Sequence, residues 1–418
     1  MVPDFFPFPG LRYQAAALDA DLGVLTAPPY DVIDEEGRAR LEAAHPQNAV
    51  RLILPRDVEP GDRYRQAQAT FEAWRGDGIL AADEPRLYVY RMSFTDEGGA
   101  ARRMIGVVGA LALSPPEAEE VLPHEKTLPK AKSDRLELLR AVRANLDPVW
   151  ALAPAPGLSD RLESVAAAGD AAASCVDEDG VEHCLFPVQG EAADEIRAAI
   201  ADVPLLIADG HHRYETALAY QEERRAAGMT DPGADRIMAL VVELSEDQLM
   251  VRPIHRLMRG VSGQFRVKFN FVADVKLLGP NNPDNVKNLL AEMERTDSLG
   301  LIDGPGLALL TLKRDVLQPL LEPLAEPLRD VPAVLCNVMI NRIAMSAEPP
   351  KEIDYRNDAQ TVSAMVAKGA ADAAILLRAP SVEQIAAVAD AGARMPPKTT
   401  FFQPKPLTGL VFRSLDLG

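Results

Sequence analysis

Between residues 205 and 227 the chain changes character within three positions. A short apolar run, Leu205-Leu-Ile-Ala208, meets Asp209-Gly210 and then a long segment with helical spacing that opens His211-His212-Arg213. A four-residue apolar run bounded by a turn pair suits a buried strand, and the following segment suits an amphipathic helix over 211–227. A strand that feeds a helix through a tight turn excludes an all-helical bundle and an all-β sandwich, and it leaves α/β or mixed α+β architectures.

The rest of the chain alternates in the same way. Asp34 suits the N-cap of a helix over 35–44, ended by His45-Pro46. Ala49–Leu54 reads as a strand and 61–78 as an amphipathic helix. Arg86–Phe94 and Arg103–Leu113 read as strands joined by a Gly-containing turn. A helix over 134–145, opened by Ser133 or Asp134, precedes a strand over 148–152. Residues 171–189 read as a hairpin around Asp179-Gly180, and 236–244 as another strand. The last third reads as a strand near 265–278, helices near 284–296 and 331–344, a strand at 372–378 and a Pro-rich tail. With 418 residues the chain has room for two or three domains. The pattern divides into a region over 1–115, a core over 116–270 carrying the DGHHR segment, and a region over 271–418.

Charge narrows the partners. Sixty-two Asp and Glu against 44 Lys and Arg give −18. That balance disfavours a nucleic-acid backbone and an anionic membrane surface, both of which are gripped by Lys and Arg. No apolar run approaches the roughly twenty residues that span a bilayer. MVPDFFPFPG has no basic segment followed by an apolar one, so a cytoplasmic protein with its three Cys reduced is expected. A two-residue turn at Asp179-Gly180 would set Cys175 opposite Cys184, where a disulfide can form only under oxidation. The chain lacks a GxxxxGK[ST] loop, HExxH, a CxxC pair and GxSxG, and Gly304-Pro-Gly306 has no third Gly in register.

The DGHHR segment then carries the chemistry. A helix start presents unpaired N–H groups and the positive end of the helix dipole, so an anion docks there. Gly210 allows close backbone approach, and His211, His212 and Arg213 add donors, Arg in bidentate fashion. The same residues also suit a plain helix start, with Asp209 as cap and Arg213 paired to a surface Glu. Adjacent His side chains diverge by about 100° on a helix, which disfavours a shared metal ion.

Other candidates follow. His124-Glu125-Lys126-Thr127, with Lys132 and Arg135 behind it, supplies the cations and the carboxylate that phosphoryl transfer needs. Glu125 is the candidate base, and Lys132 and Arg135 are candidate phosphate contacts; a solvated loop is the plainer alternative. Pro28-Pro29 makes a rigid loop that offers Tyr30 and Asp31 to substrate, with Asp31 or Asp209 assisting Mg²⁺. His255-Arg256 offers a second anion contact, or a satisfied structural His beside a surface Arg. Lys398 and Lys405 sit in a tail that either folds over the site or packs as an extension.

ADGHHRYETA (208–217) resembles the phosphate-binding motif of the ParB/sulfiredoxin superfamily, whose free L-serine kinases carry a very similar DGHHR. Where sulfiredoxin has its reactive Cys, this chain has His211. Over nearly its whole length the chain also resembles the bacterial DUF1015 family. The matching stretches are FPGLRY (8–13), APPYDVI (27–33), HEKT (124–127) with KSDR (132–135), ADGHHRYETA, RPIHRL (252–257) and MPPKTTFFQPKPLTGLV (395–411).

The resemblance implies a ParB/sulfiredoxin-like nucleotide-binding core in a multi-domain mixed α/β chain. It implies a kinase using ATP or ADP, with CTP as the alternative, and Mg²⁺, acting on a hydroxyl metabolite with free L-serine the best guess. Asp209, Gly210, His211, His212 and Arg213 would hold phosphates, and Glu125, with His211 and His212, would serve catalysis. A ParB-like nucleotide switch or a metabolite sensor without catalysis is the alternative.

Overall fold

The structure is a computed structural model. It describes residues 3–417 apart from 60, 97, 124–128, 263, 264, 266 and 305. The chain divides into two units. The first draws on residues 1–123, 127–249 and 404–418, and the second is built on 250–403.

The first unit is organised on a nine-stranded mixed sheet. From one edge its strands are Val121–Pro123, Leu205–Asp209, Val149–Ala153, Arg236–Glu243, Ala101–Ala112, Leu87–Thr95, Glu182–Val188 and Ala173–Val176, and Phe5–Phe6 pairs beside Ala101–Ala112. Two pairings are parallel, Leu205–Asp209 with Val121–Pro123 and Arg236–Glu243 with Val149–Ala153. These inner strands are nearly continuous apolar runs, as strands covered on both faces must be. Helices Leu158–Ala168 and Gly190–Ala201 bury Leu158, Leu162, Ile196 and Ile200 in the main core cluster. Helices Pro129–Val142 and His211–Ala226 pack on each other. A small four-stranded sheet places Phe412–Ser414 between Gly10–Tyr13 and Ala144–Asn145. The last residues therefore return to the first unit.

The second unit is a six-stranded sheet in the order Ala273–Gly279, Gly306–Leu312, Leu299–Asp303, Ala373–Leu376, His255–Arg259 and Glu352–Arg356, antiparallel throughout. Helices Pro283–Thr296 and Ala359–Ala367 pack Val286, Leu289, Met293 and Val362 against it. No helix among the described residues is long and apolar enough to cross a membrane.

Four expectations change. A division at residue 115 would fall inside one hydrogen-bonded sheet, since strands on both sides of it pair directly. The second boundary falls at 249 rather than 270, and residues 404–418 rejoin the first unit. Val50–Ile53 is a helical turn, not a strand. The buried Asn48 side chain donates to the carbonyls of Val24 and Thr26 and accepts from the Val50 N–H, which fixes that turn. Near 265–278 the chain forms a short helix, Phe269–Val272, before the strand Ala273–Gly279.

The fourth is the hairpin register, which is one residue off expectation: Cys175 faces His183. The loop between Asp177 and Val181 has three residues, with Gly180 at φ +77° and the Asp177 carboxylate accepting from the N–H groups of Asp179 and Val181. All three Cys are free thiols.

Candidate functional site

Strand Leu205–Asp209 ends at Gly210, which turns the chain at φ +87° into the helix His211–Ala226. Two facts require glycine there. The backbone is left-handed, and a Cβ would stand 3.0–3.1 Å from the Arg213 guanidinium. Arg213 thus folds back under its own N-cap. The N-cap is a glycine and so has no side chain to cap with, and the first turn holds no acidic residue.

Arg213 donates from Nη1 to the Pro148 carbonyl at 2.5 Å and from Nη2 to Asp209 Oδ2 at 3.1 Å. The other Asp209 oxygen faces Lys405 Nζ at 3.0 Å. Burial alone would raise the Asp209 carboxyl. Lys405 and Arg213 reverse that and hold it down at about 2. Burial opposes the charge of Arg213, but Asp147, Asp209 and Asp31 more than offset it and keep the guanidinium above its ordinary value. This is a preorganised ion-pair cluster at a helix start.

Asp147 forms the next layer. It is buried, and its Oδ1 accepts the Thr408 hydroxyl. Burial pushes its carboxyl up to about 6 against the pull of Arg213 and Arg135, while Asp31 and Asp209 add like charge. Thr408 is placed by a bridge to Ala27, with backbone bonds in both directions. One residue earlier, the Leu407 N–H donates to the Tyr90 hydroxyl. That hydroxyl is 2.7 Å from His183 Nδ1, and His183 Nε2 is 3.1 Å from Asp177. With the Tyr90 oxygen accepting from Leu407, its O–H donates to Nδ1, and Nε2–H donates to Asp177. Tyr90 and His183 are buried, so this relay pins the tail that carries Lys405 and Thr408.

Tyr30 lies under the Arg135 guanidinium, 4.2 Å from ring centre to Cζ, and burial pushes its hydroxyl up to about 12. Arg135 is itself buried. It donates to the Ile53 carbonyl at 2.8 Å and to Asp134, which also accepts from Arg63 and Tyr64. Asp31 is exposed, yet close enough for its charge to act on Arg213, Asp147 and Tyr30.

The structure therefore brings together Tyr30, Asp31, Arg135, Asp209, Gly210 and Arg213 from the sequence-derived set. His211 is buried and His212 half-buried in the first turn of the same helix. Lys132 lies on the helix Pro129–Val142, with its side chain outside the described part, and Glu125 lies outside the described residues. His255 and Arg256 belong to the second unit, and both are buried. The His255 ring accepts the Leu377 N–H, burial lowers it to about 4, and Arg256 donates to the carbonyls of Ile254 and Lys398. The Arg256 guanidinium also lies 4.9 Å from the Tyr355 ring centre, and its Nε and Nη2 find no hydrogen-bond partner among the described residues.

Three site groups escaped the sequence reading as site members: Asp147, Thr408 and, beyond its place in the tail, Lys405. Their only local signals are an Asp before a Pro-led strand and a Lys in the Pro-rich tail.

Among the described residues no group of three or more His, Cys, Asp or Glu is placed to hold a metal ion. Both oxygens of Asp209 are already engaged by cations, so a resident Mg²⁺ does not fit that carboxylate.

Fold and site together define a mixed α/β protein with a cation-flanked helix start at the end of a buried strand. The chain belongs to DUF1015, a family of proteins of unknown function, whose model matches residues 5–331. No curated protein matches the chain. Among solved structures it is similar to a free serine kinase in complex with AMP, at 14% identity and TM-score 0.39 over 75% of this chain and 93% of that one. It is also similar to a conserved hypothetical protein from Pyrococcus furiosus, at 14% identity and TM-score 0.38 over 75% and 97%. A third likeness is to SbnI from Staphylococcus aureus with a C-terminal truncation, at 11% identity and TM-score 0.36 over 72% and 85%.

Proposed function

We propose that this chain is a nucleotide-dependent phosphotransferase that moves a phosphoryl group between ATP or ADP and a small hydroxyl metabolite, with free L-serine the best single guess. The observation that carries the reading is the pairing of two cations, Arg213 and Lys405, on one carboxylate beside a helix start whose N-cap is glycine. The resemblance of ADGHHRYETA to a phosphate-binding motif supports it independently.

The chemistry follows from the charges. A phosphate approaching Gly210 meets first-turn N–H groups and the positive end of a sixteen-residue helix. Arg213 and Lys405 are already oriented by Asp209, so little reorganisation accompanies the exchange of that carboxylate for phosphate oxygens. In-line transfer needs position and charge stabilisation more than covalent help. Mg²⁺ enters as part of the nucleotide substrate, held chiefly by phosphate oxygens, with Asp31 as an exposed carboxylate of the same cluster. Glu125 is the candidate base from the motif HEKT, with His211 and His212 beside the transferred group.

The test incubates purified protein and Mg²⁺ with ATP, ADP, CTP or GTP and a panel of hydroxyl metabolites that includes L-serine. Mass spectrometry reads phosphorylated product, and Arg213→Lys, which keeps the charge opposite Asp209, is compared with Arg213→Gln. Product lost in Arg213→Gln and weakened in Arg213→Lys, with both variants folded, is the expected result. Nucleotide affinity indifferent to both substitutions refutes the phosphate assignment. Binding without product moves the reading to a nucleotide switch or sensor.

A further inference from the structure

A cavity of about 60 Å³ lies between helices Pro129–Val142 and His211–Ala226. That volume accommodates about four water-sized groups. Its polar lining is Arg135, Asn145, Asp147, Arg213 and Thr216, and its apolar lining includes Leu139, Leu146, Ala217 and Ile237. The cavity lies entirely within the first unit.

Two features set it apart from an ordinary packing gap. Thr216 is 2% exposed, and its hydroxyl has no hydrogen-bond partner among the described residues. A buried hydroxyl left unmade is costly, and a helical Thr normally returns its hydroxyl to a carbonyl of the preceding turn. Asp147 is a buried carboxylate in the same lining, and Thr408 supplies one donor to one of its oxygens. A dry apolar gap would carry neither group.

We infer that this cavity is the acceptor subsite and takes a short primary alcohol, whose hydroxyl donates to Asp147 while its stem lies along Leu146 and Ala217. The inference rests on the phosphotransferase reading above, adds where the acceptor binds, and assigns the acceptor proton to Asp147 in place of Glu125, whose role rests on the motif alone. The lining shared with Arg213 puts the alcohol beside the guanidinium assigned to phosphate.

The step balances. The alcohol O–H bond breaks and its proton passes to the Asp147 carboxylate. The alcohol oxygen forms the new bond to the terminal phosphorus of the nucleotide. The bond from that phosphorus to the bridging oxygen breaks, and the shortened nucleotide leaves with the electron pair. Asp147 then returns its proton to solvent. The groups that set its titration are the burying walls, Arg213 and Arg135, which favour the carboxylate, and Asp31 and Asp209, which oppose it.

The experiment reads nucleotide and alcohol separately. ATP affinity is measured by calorimetry. Binding of L-serine, glycerol and 3-hydroxypropionate is measured by saturation-transfer NMR, and turnover by mass spectrometry. The variants are Asp147→Asn, Thr216→Val and Ala217→Leu, each checked for cooperative unfolding. Asp147→Asn keeps ATP affinity within about threefold and lowers kcat/KM about 10²–10⁴-fold. It also removes the acid limb expected of wild type as the raised Asp147 carboxyl takes up its proton near pH 6. Thr216→Val raises KM about tenfold with kcat kept, as expected for one lost hydrogen bond. Ala217→Leu, which fills the cavity from an apolar position, abolishes alcohol binding and leaves ATP binding intact.

Alcohol binding by Ala217→Leu and Asp147→Asn equal to wild type overturns the inference. So does the absence of any alcohol signal with wild type. Failure of ATP alone to bind refutes the phosphotransferase reading, while alcohol binding lost in Ala217→Leu still supports the cavity.

Discussion

Gly210→Ala and Gly157→Ala form a matched pair. Both glycines are N-caps of helices in left-handed backbone, at φ +87° and +85°. A Cβ on Gly157 meets nothing within 4 Å, whereas one on Gly210 meets Arg213 Nε at 3.0 Å and Cζ and Nη2 at 3.1 Å. An L side chain in this conformation costs about 1–2 kcal/mol, so Gly157→Ala loses about that much. Gly210→Ala carries the same strain and also pushes the guanidinium outward. The Arg213–Asp209 bond is already 3.1 Å long, and weakening a charged hydrogen bond adds about 1–2 kcal/mol. The total is about 2–4 kcal/mol.

Urea unfolding followed by tryptophan fluorescence measures both variants in the right place, because Trp74 and Trp150 are the only two tryptophans and both are buried in the first unit. On the proposed nucleotide reading, the displaced guanidinium also weakens ATP binding about tenfold in Gly210→Ala, since 1.4 kcal/mol is one decade. Gly157→Ala leaves ATP affinity unchanged. Equal destabilisation of the two variants, with ATP affinity unaltered in both, refutes the reasoning that Gly210 is kept for the close approach of Arg213.

Two further outcomes are expected. Tyr90→Phe removes the hydroxyl that joins His183 to the Leu407 N–H, leaves two buried groups unmatched and costs about 1–3 kcal/mol; hydrogen exchange at the Leu407 amide rises if the relay anchors the tail and stays level if it does not. Burial pushes the Cys175 thiol up to about 12 and Cys336 up to about 11, so iodoacetamide at pH 8 labels both slowly in the native protein and fully in urea, and fast native labelling of either contradicts their placement.

The sequence carried the elements with strong periodicity. Asp34 does cap the helix Glu35–Ala44 through the Gly37 N–H, and the DGHHR segment does join a buried strand to a long helix. Val50–Ile53 was illegible because a four-residue apolar run has no period, and the deciding group was a buried Asn side chain reaching back to residues 24 and 26. The hairpin register turned on one residue of loop length, which Asp-Gly alone does not specify. Tyr30, Asp31, Arg135 and the DGHHR residues were legible because each sits in a local motif. Asp147, Lys405 and Thr408 were not, because their roles come from partners far along the chain: Thr408 meets Asp147 and Lys405 meets Asp209 only after the tail has returned. The two-unit division was hidden for the same reason, since local periodicity holds no record of which sheet a distant strand will enter.

That return has a consequence for the order of assembly during synthesis. Residues 1–249 leave the ribosome with the Gly210 turn and its helix start already encoded, but without the lysine and threonine that complete the ion-pair cluster. Residues 250–403 must be made first, which at about 5–20 residues per second takes about 8–30 s. The inserted unit therefore has ample time to fold before residues 404–418 appear. Throughout that interval the nascent first unit lacks its Phe412–Ser414 strand and carries Asp209 without Lys405. Competence for the proposed chemistry therefore waits on residues 404–418, and a nascent chain arrested before them lacks both Lys405 and Thr408.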